Sequence, residues 1–275
     1  MFKIKEVYKG KNTFNIYEHD FNYEQLNKII SEMLFSKKAL NYIFTSREQN
    51  DDSNYIEMAR RFIPVEFFCE EEKVLSDWEN SKKIIKSLIS SNNSFYSFYA
   101  EALMTYLNYK FLGQKLTIGV INVNDTVTDV STGADACMFY DGLVILGEAK
   151  FYKNFNSARN KIIEDFSKKS LVSKIKNLYN NSHKTVEIYY KQIGNNNVKE
   201  IPYNEFINYN ILLSGFILHN AQKKYSYQQI DNIESVDGLG HYSVVFYHLP
   251  IESKEELIYL VIRKALEVII NESRW

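Results

Sequence analysis

Leu143-Val144-Ile145-Leu146-Gly147-Glu148-Ala149-Lys150, read together with Asp135 upstream of it, is the stretch that decides the fold. Four consecutive branched apolar residues behind a turn signal read as a strand buried on both faces. Side chains alternate along a strand, so Glu148 and Lys150 project to one side and Ala149 to the other. Tyr140-Asp141-Gly142 carries the Asp-Gly signal of a tight hairpin, which folds Asp135 back toward the acidic end of the strand. Two carboxylates converging from neighbouring backbone positions suit a hard divalent cation such as Mg²⁺, held by one or two acids plus water and phosphate oxygens. A lysine beside them supplies a cationic donor to an attacking water or to a phosphate, so the pattern points to metal-assisted phosphodiester chemistry.

An acid-x-Lys tripeptide is common in a chain in which 24% of residues are charged, and about three to four are expected by chance. It occurs as Glu71 to Lys73, Glu148 to Lys150 and Glu252 to Lys254. The first lies in the charged run Glu70-Glu71-Glu72-Lys73. The last opens a helix after Pro250, where acids suit the helix N-terminus. Only Glu148 ends an uninterrupted apolar strand, and for it a catalytic role and a salt bridge at a strand end both remain open.

Outward from this strand, Ser90-Ser91-Asn92-Asn93-Ser94 is polar punctuation and a helix cap. The helix expected over 94–112 carries Phe98, Ala102, Thr105 and Tyr109 along one face, encloses Glu101, and stops at Gly113. Strands are expected over 116–122, 129–139 and 143–150. A basic helix follows, with Ile162, Ile163, Phe166, Leu171, Val172 and Ile175 facing the sheet. Apolar runs at 209–218 and 242–249 complete the sheet, and a final helix over 254–270 buries Leu257, Leu260, Val261, Ala265, Val268 and Ile269. The order α-β-β-β-α-β-β-α implies an α/β fold, a mixed central sheet flanked by helices, over residues 91–275.

Residues 1–90 read as a mainly helical region with some strand. Leu26, Ile29, Ile30, Met33 and Leu34 form a helical stripe. Ile63-Pro64-Val65-Glu66-Phe67-Phe68 reads as a short strand or extended connector, because proline disfavours helix in the residue before it. Residues 66–79 are acidic and read as a solvated loop and helix start, with docking of a basic partner or shielding of a DNA groove as the other readings.

At 275 residues and 45% hydrophobic the chain can bury a large core. Its formal net charge of −1 does not by itself favour nucleic acid. Between 153 and 176, however, Lys153, Arg159, Lys161, Lys168, Lys169, Lys174 and Lys176 oppose Glu164 and Asp165, a local excess of +5 (seven minus two). Such a segment either gathers phosphates by counterion release or forms a solvated helix face. Cys69 and Cys137 lack metal spacing and read as thiols. Cys137 is expected on the Asp135 face as a packing residue, since a soft thiolate suits Mg²⁺ poorly. His219, His241 and His248 read as packed or hydrogen-bonded. Gly238-Leu239-Gly240 lacks the context of a dinucleotide loop, and there is no phosphate-binding Gly-rich loop with Lys-Ser/Thr, so any ATP dependence belongs to a partner. No run of signal-peptide or membrane-spanning length is found, which gives the expectation of a cytoplasmic protein with no membrane partner.

A helix with an embedded Glu, an acid following a Gly, and a strand ending Gly147-Glu148-Ala149-Lys150 together resemble the PD-(D/E)xK nuclease superfamily. Gly133-Ala134-Asp135-Ala136, with Leu146-Gly147-Glu148-Ala149-Lys150-Phe151-Tyr152, more narrowly resembles the HamA family, the nuclease subunits of bacterial Hachiman antiphage defence systems. The resemblance spans most of residues 90–275 and is densest over 93–160. It implies a restriction-endonuclease-like core and a Mg²⁺-dependent DNA endonuclease in which Mn²⁺ can substitute. Asp135 matches the first motif acid, Glu148 the second, Lys150 the lysine, and Glu101 the acid of the preceding helix. Metal would then be held by Asp135, Glu148, the Ala149 carbonyl and Glu101, with Lys150 activating water. Lys153, Arg159, Lys161, Lys168 and Lys169 would meet DNA. Ala134 stands where the motif usually has Pro. The resemblance also implies a partner, the HamB-like Hachiman helicase subunit. The competing expectations are a nuclease-like module that binds DNA or a helicase without chemistry, and a restriction-type enzyme with its own sequence recognition.

Overall fold

The computed structural model describes residues 3–18, 22–43, 53–91, 94–112, 117–118, 135–140, 143–167, 185–192, 195–202, 210–233 and 242–273. Gly238-Leu239-Gly240, His241, Lys168, Lys169, the Asp141-Gly142 turn and the side chain of Cys137 lie outside what is described.

The chain opens with β1 (Lys3–Lys9) and β2 (Thr13–Glu18), an antiparallel hairpin. Five helices follow: α1 (Tyr23–Leu34), α2 (Lys37–Ile43), α3 (Ser53–Arg60), α4 (Glu71–Ser76) and α5 (Trp78–Ser91). Asn22 caps α1 by accepting from the Gln25 N–H, and the stripe read from the sequence is its buried face: Ile29, Ile30, Met33 and Leu34. Val65–Phe67 is a single 3-10 turn rather than the extended segment expected. Pro64, at φ −57°, lets its carbonyl and that of Val65 accept from Phe67 and Phe68 three residues on. Glu71, in the acidic run, pairs with Arg60 at 3.2 Å, so part of that run is tied to α3.

Helix α6 spans Ser94–Leu112, the bounds read from its polar start and Gly113. Every residue from Phe98 to Asn108 is buried, as befits a helix enclosed on all sides. Strands β3 (Thr117–Ile118), β4 (Ala136–Tyr140) and β5 (Leu143–Tyr152) come next, then α7 (Phe155–Asp165). The hairpin β6 (Thr185–Gln192) and β7 (Asn195–Pro202) was not expected. Strands β8 (Asn210–Asn220) and β9 (Tyr242–Ile251) lead into α8 (Lys254–Glu272), which Ser253 caps by accepting from the Glu256 N–H.

Among the described residues the strands form one mixed sheet in the order β1-β2-β9-β8-β5-β4-β3-β6-β7. Its centre is parallel: β5 with β8, β8 with β9, and β9 with β2. The flanking pairs are antiparallel. Central strands buried on both faces explain the uninterrupted apolar runs of β5 and β8. Strands β4 and β5 pair antiparallel up to Tyr140 with Leu143, as the hairpin reading of the sequence expected.

Each face of the sheet has its own core. On one, Ala149, Phe151, Phe216, Leu218 and Leu249 pack with α6, α8 and the N-terminal helices. On the other, Leu146, Leu213, Ile217 and Phe246 pack with Phe155, Ala158, Ile162 and Phe166 of α7. Residues before and after position 90 thus share a sheet, through β2 and β9, and a core.

Candidate active site at the end of β4 and β5

Strand β4 ends where Ala136 pairs with Gly147, one residue before Glu148. The Asp135 N–H still donates to the Gly147 carbonyl at 3.0 Å, and among the described residues no further strand residue meets β5 on that edge beyond it. The carboxylate of Asp135 takes over: its Oδ2 accepts from the Ala149 N–H at 2.7 Å. An orphan strand N–H is thereby satisfied, and the acid is held against the segment that carries Glu148 and Lys150. In an extended strand the N–H and C=O of one residue point to the same edge, so the Ala149 carbonyl faces the Asp135 side as well.

Alternation along β5 sends Leu146, Glu148 and Lys150 toward α7 and Ala149 and Phe151 toward α6. Lys150 Nζ lies 3.1 Å from Glu148 Oε2, 3.7 Å from Asp135 Oδ2 and 3.1 Å from Asp165 Oδ2 at the end of α7. Asp165 Oδ1 in turn meets Lys161 Nζ at 3.6 Å. The Glu148 side chain is 3% exposed, against 19% for Lys150 and 20% for Asp165, so the cluster is closed at Glu148 and open on the Lys150 and Asp165 side. Burial works to lower the Lys150 pKa, but the Asp135 and Asp165 carboxylates outweigh it and carry the ammonium above the ordinary lysine value. Lys150 is therefore a cation at neutral pH, able to donate hydrogen bonds and stabilise negative charge but not to take up a proton.

The other expected residues fall in different places. Glu101 is buried on α6, the helix covering the sheet face opposite Glu148 and Lys150. Its backbone carbonyl accepts from Thr105 Oγ1. Lys153 is exposed and pairs with Glu255 at 3.6 Å, and Lys161 pairs with Glu164 at 2.9 Å. Arg159, read as a DNA contact, is instead only 5% exposed and ties α7 inward. Its guanidinium donates to the Ser226 carbonyl, to Asn156 Oδ1 at 3.0 Å and to Asn160 Oδ1 at 2.7 Å. Burial lowers its pKa from the ordinary arginine value.

Sequence reasoning missed Asp165, which entered only as a charge to subtract from the basic segment. Nothing in its spacing from Lys150 shows that α7 turns its last residue back onto β5.

The donor set fits a hard divalent cation. Two carboxylates already converge on one positive group, and a backbone carbonyl faces the same edge. Mg²⁺ characteristically takes one or two carboxylates and completes its shell with water and substrate oxygens. Among the described residues no group of three or more His, Cys, Asp or Glu side chains is arranged to hold a metal, so the described acids provide a two-carboxylate site, not a protein-only cage. No helix among the described residues is long and apolar enough to cross a membrane. Comparison of the chain with protein-family models, with curated proteins and with solved structures found no match.

Proposed function

We propose that the chain is a metal-dependent DNA endonuclease that hydrolyses phosphodiester bonds. The observation that carries this reading is the convergence of Asp135, Glu148 and Lys150 at one strand end. In this reading Asp135, Glu148 and the Ala149 carbonyl would hold Mg²⁺ or Mn²⁺, while Glu101, carried by α6 over the opposite face of the sheet, stands outside the ligand set. The bound ion supplies charge neutralisation at the phosphate and a lowered pKa for coordinated water. Asp135 and Glu148 fix where the scissile phosphate docks, and their backbone tie through Ala149 keeps that position constant. Lys150 would donate to the phosphate or orient the attacking water. Lys161, whose ammonium is 3.6 Å from Asp165, stands next to the site and would draw the DNA backbone toward it, with exposed Lys153 adding to the local charge. The resemblance of Gly147-Glu148-Ala149-Lys150 and Asp135 to the PD-(D/E)xK pattern supports the same assignment. The narrower likeness to HamA supports a role in antiphage defence under the control of a HamB-like helicase, in the cytoplasm.

One observation favours a second reading. Lys150 itself sits where the acids converge, as it would in a structural charge cluster, and a nuclease-like module that binds DNA or a helicase without chemistry would be built this way. Calorimetric titration with Mn²⁺ separates the two. The enzyme binds the ion, and Glu148→Gln weakens that binding by about 100-fold or more; a chain whose Mn²⁺ isotherm is flat, or unchanged by Glu148→Gln, is the binding module. Where cleavage is seen, scattered ends agree with indiscriminate degradation and defined ends with a restriction-type enzyme.

A further inference from the structure

The three carboxylates around Lys150 are not equivalent. Asp135 and Glu148 belong to the adjoining ends of β4 and β5, whereas Asp165 comes from the last turn of α7 in the layer above the sheet. In the enzyme proposed above, on which this inference rests, the first two acids give their charge to a divalent ion. That ion repels a neighbouring ammonium, so Asp135 and Glu148 no longer hold Lys150 once they are engaged. Asp165 then remains to hold it, at 3.1 Å from Nζ. We propose that Asp165 is the positioning residue for Lys150, keeping its ammonium beside the two strand acids while a divalent cation occupies them.

Three features suit Asp165 to this task. Its carboxylate is shared between two cations, with Oδ2 on Lys150 and Oδ1 on Lys161 3.6 Å away, so its orientation is fixed from both sides. It is carried on an anchored helix: Asn154 caps α7 by accepting from the Ser157 N–H, and Arg159 ties the helix to the Ser226 carbonyl. Phe155, Ala158, Ile162 and Phe166 pack the same helix into the core. A flexible lysine stem therefore spans from the sheet to a fixed acceptor, and a donor held in place keeps its alignment with the reacting phosphate.

The first arm of the test needs neither metal nor activity. The Nζ resonance of Lys150 is followed in protein carrying ¹⁵N-labelled lysine and assigned by its absence from Lys150→Met. The background is Asp135→Asn with Glu148→Gln, which removes both other charges. Asp165 is expected to keep a slowly exchanging ammonium signal there, Asp165→Asn to lose it, and Asp165→Glu to restore it. A signal indifferent to Asp165→Asn overturns the proposal.

The second arm uses the otherwise unaltered chain. Asp165→Asn is expected to lower kcat by about 10- to 100-fold while KM and Mn²⁺ affinity stay within about threefold. In Lys150→Met, the same change should cost little more, because both substitutions disable one device. Loss of Mn²⁺ affinity in Asp165→Asn would make Asp165 a ligand, and additive losses would make it independent of Lys150; either overturns the positioning role. Failure of the wild-type chain to bind Mn²⁺ and to cleave DNA would overturn the nuclease reading, while the resonance comparison still decides whether Asp165 holds Lys150.

Discussion

Lys150 is the one cation that meets Asp135, Glu148 and Asp165 together among the described contacts, and the upward sign of its pKa shift follows from Asp135 and Asp165, which outweigh burial. Replacing it with methionine leaves three acids facing one another in a partly buried site. We expect Lys150→Met to cost about 3 kcal/mol of stability, as when one partner of a buried pair is removed. Millimolar Mn²⁺ should recover much of that loss by mass action on the folded state. Urea unfolding with and without the ion checks both effects. Glu148→Gln has the opposite sign toward metal, since it removes a ligand and leaves Lys150 with two partners.

A second residue-scale device is the histidine pair. His219 Nδ1 is 2.8 Å from the Asn220 carbonyl, which can only accept, so that nitrogen carries the proton. His219 Nε2 then accepts from His248 Nδ1 at 2.8 Å, and His248 Nε2 accepts from the Tyr227 hydroxyl at 3.3 Å. Burial lowers His219 to about 4, with the Asn220 contact opposing it only in part. Burial, and then the neighbouring His219, push His248 well below its ordinary value. An unfolded chain takes up protons at these rings near pH 6.5, and the folded one resists until His219 titrates near 4. Their contribution is therefore complete above about pH 6.5 and falls as pH drops; for His219 alone the loss by pH 4 is about 3 kcal/mol. The urea midpoint should drop between pH 7.5 and 4.5, and His219→Gln should flatten that slope; an unchanged slope in the variant would refute the assignment.

Among the elements, α7 and the strands beneath it set the geometry of the site. Arg159→Met should destabilise the fold by about 1 to 3 kcal/mol, because it strips the Ser226 carbonyl and two asparagines of a donor. DNA affinity, measured by filter binding at fixed salt, should change less than for Lys161→Ala, whose cation is exposed. Gly215 pairs with Glu148 across β5 and β8, and a Cβ there would stand 2.7 Å from the Phe246 ring. Gly215→Ala should cost about 1 to 3 kcal/mol by forcing that ring aside, read as a lower melting temperature.

The legible elements were those whose signal is local. An apolar run bounded by Asp-Gly marked β5 and its hairpin, and a polar cluster with a later glycine marked α6. Strand β7 escaped because Asn195-Asn196-Asn197-Val198-Lys199-Glu200-Ile201-Pro202 has no apolar alternation to betray it, whereas β6 carried a readable period of two in Val186, Ile188 and Tyr190 that went unused. The turn after Pro64 escaped because proline was weighed against the residue before it and not for the turn it starts. Within the site, Asp135, Glu148 and Lys150 were readable since one hairpin joins them. The burial of Arg159, the contact from Asp165 and the side of the sheet on which α6 carries Glu101 depend on how helices dock, and a helical stripe shows a face without saying what covers it.

At the scale of the whole molecule, a mixed sheet sits between α7 on one side and α6, α8 and the N-terminal helices on the other. The site lies where antiparallel β4 meets the parallel centre at β5, an edge where pairing between the described strands ends. Since β2 pairs with β9 and the N-terminal helices share a core with α6 and α8, removal of residues 1–90 should expose that core and yield insoluble protein. Soluble, monodisperse 91–275 on gel filtration would show that this portion stands alone.

The central claim is that Asp135, Glu148 and Lys150 constitute a metal-dependent phosphodiesterase site. The purified chain is incubated with supercoiled plasmid and Mg²⁺ beside Glu148→Ala, each with and without a co-expressed helicase of the proposed HamB-like kind. Nicking or linearisation by the unaltered chain, abolished by Glu148→Ala and by chelation, is the predicted result, and dependence on the helicase would locate its restraint in the partner. Intact plasmid in every condition, or equal cleavage by Glu148→Ala, would contradict the account.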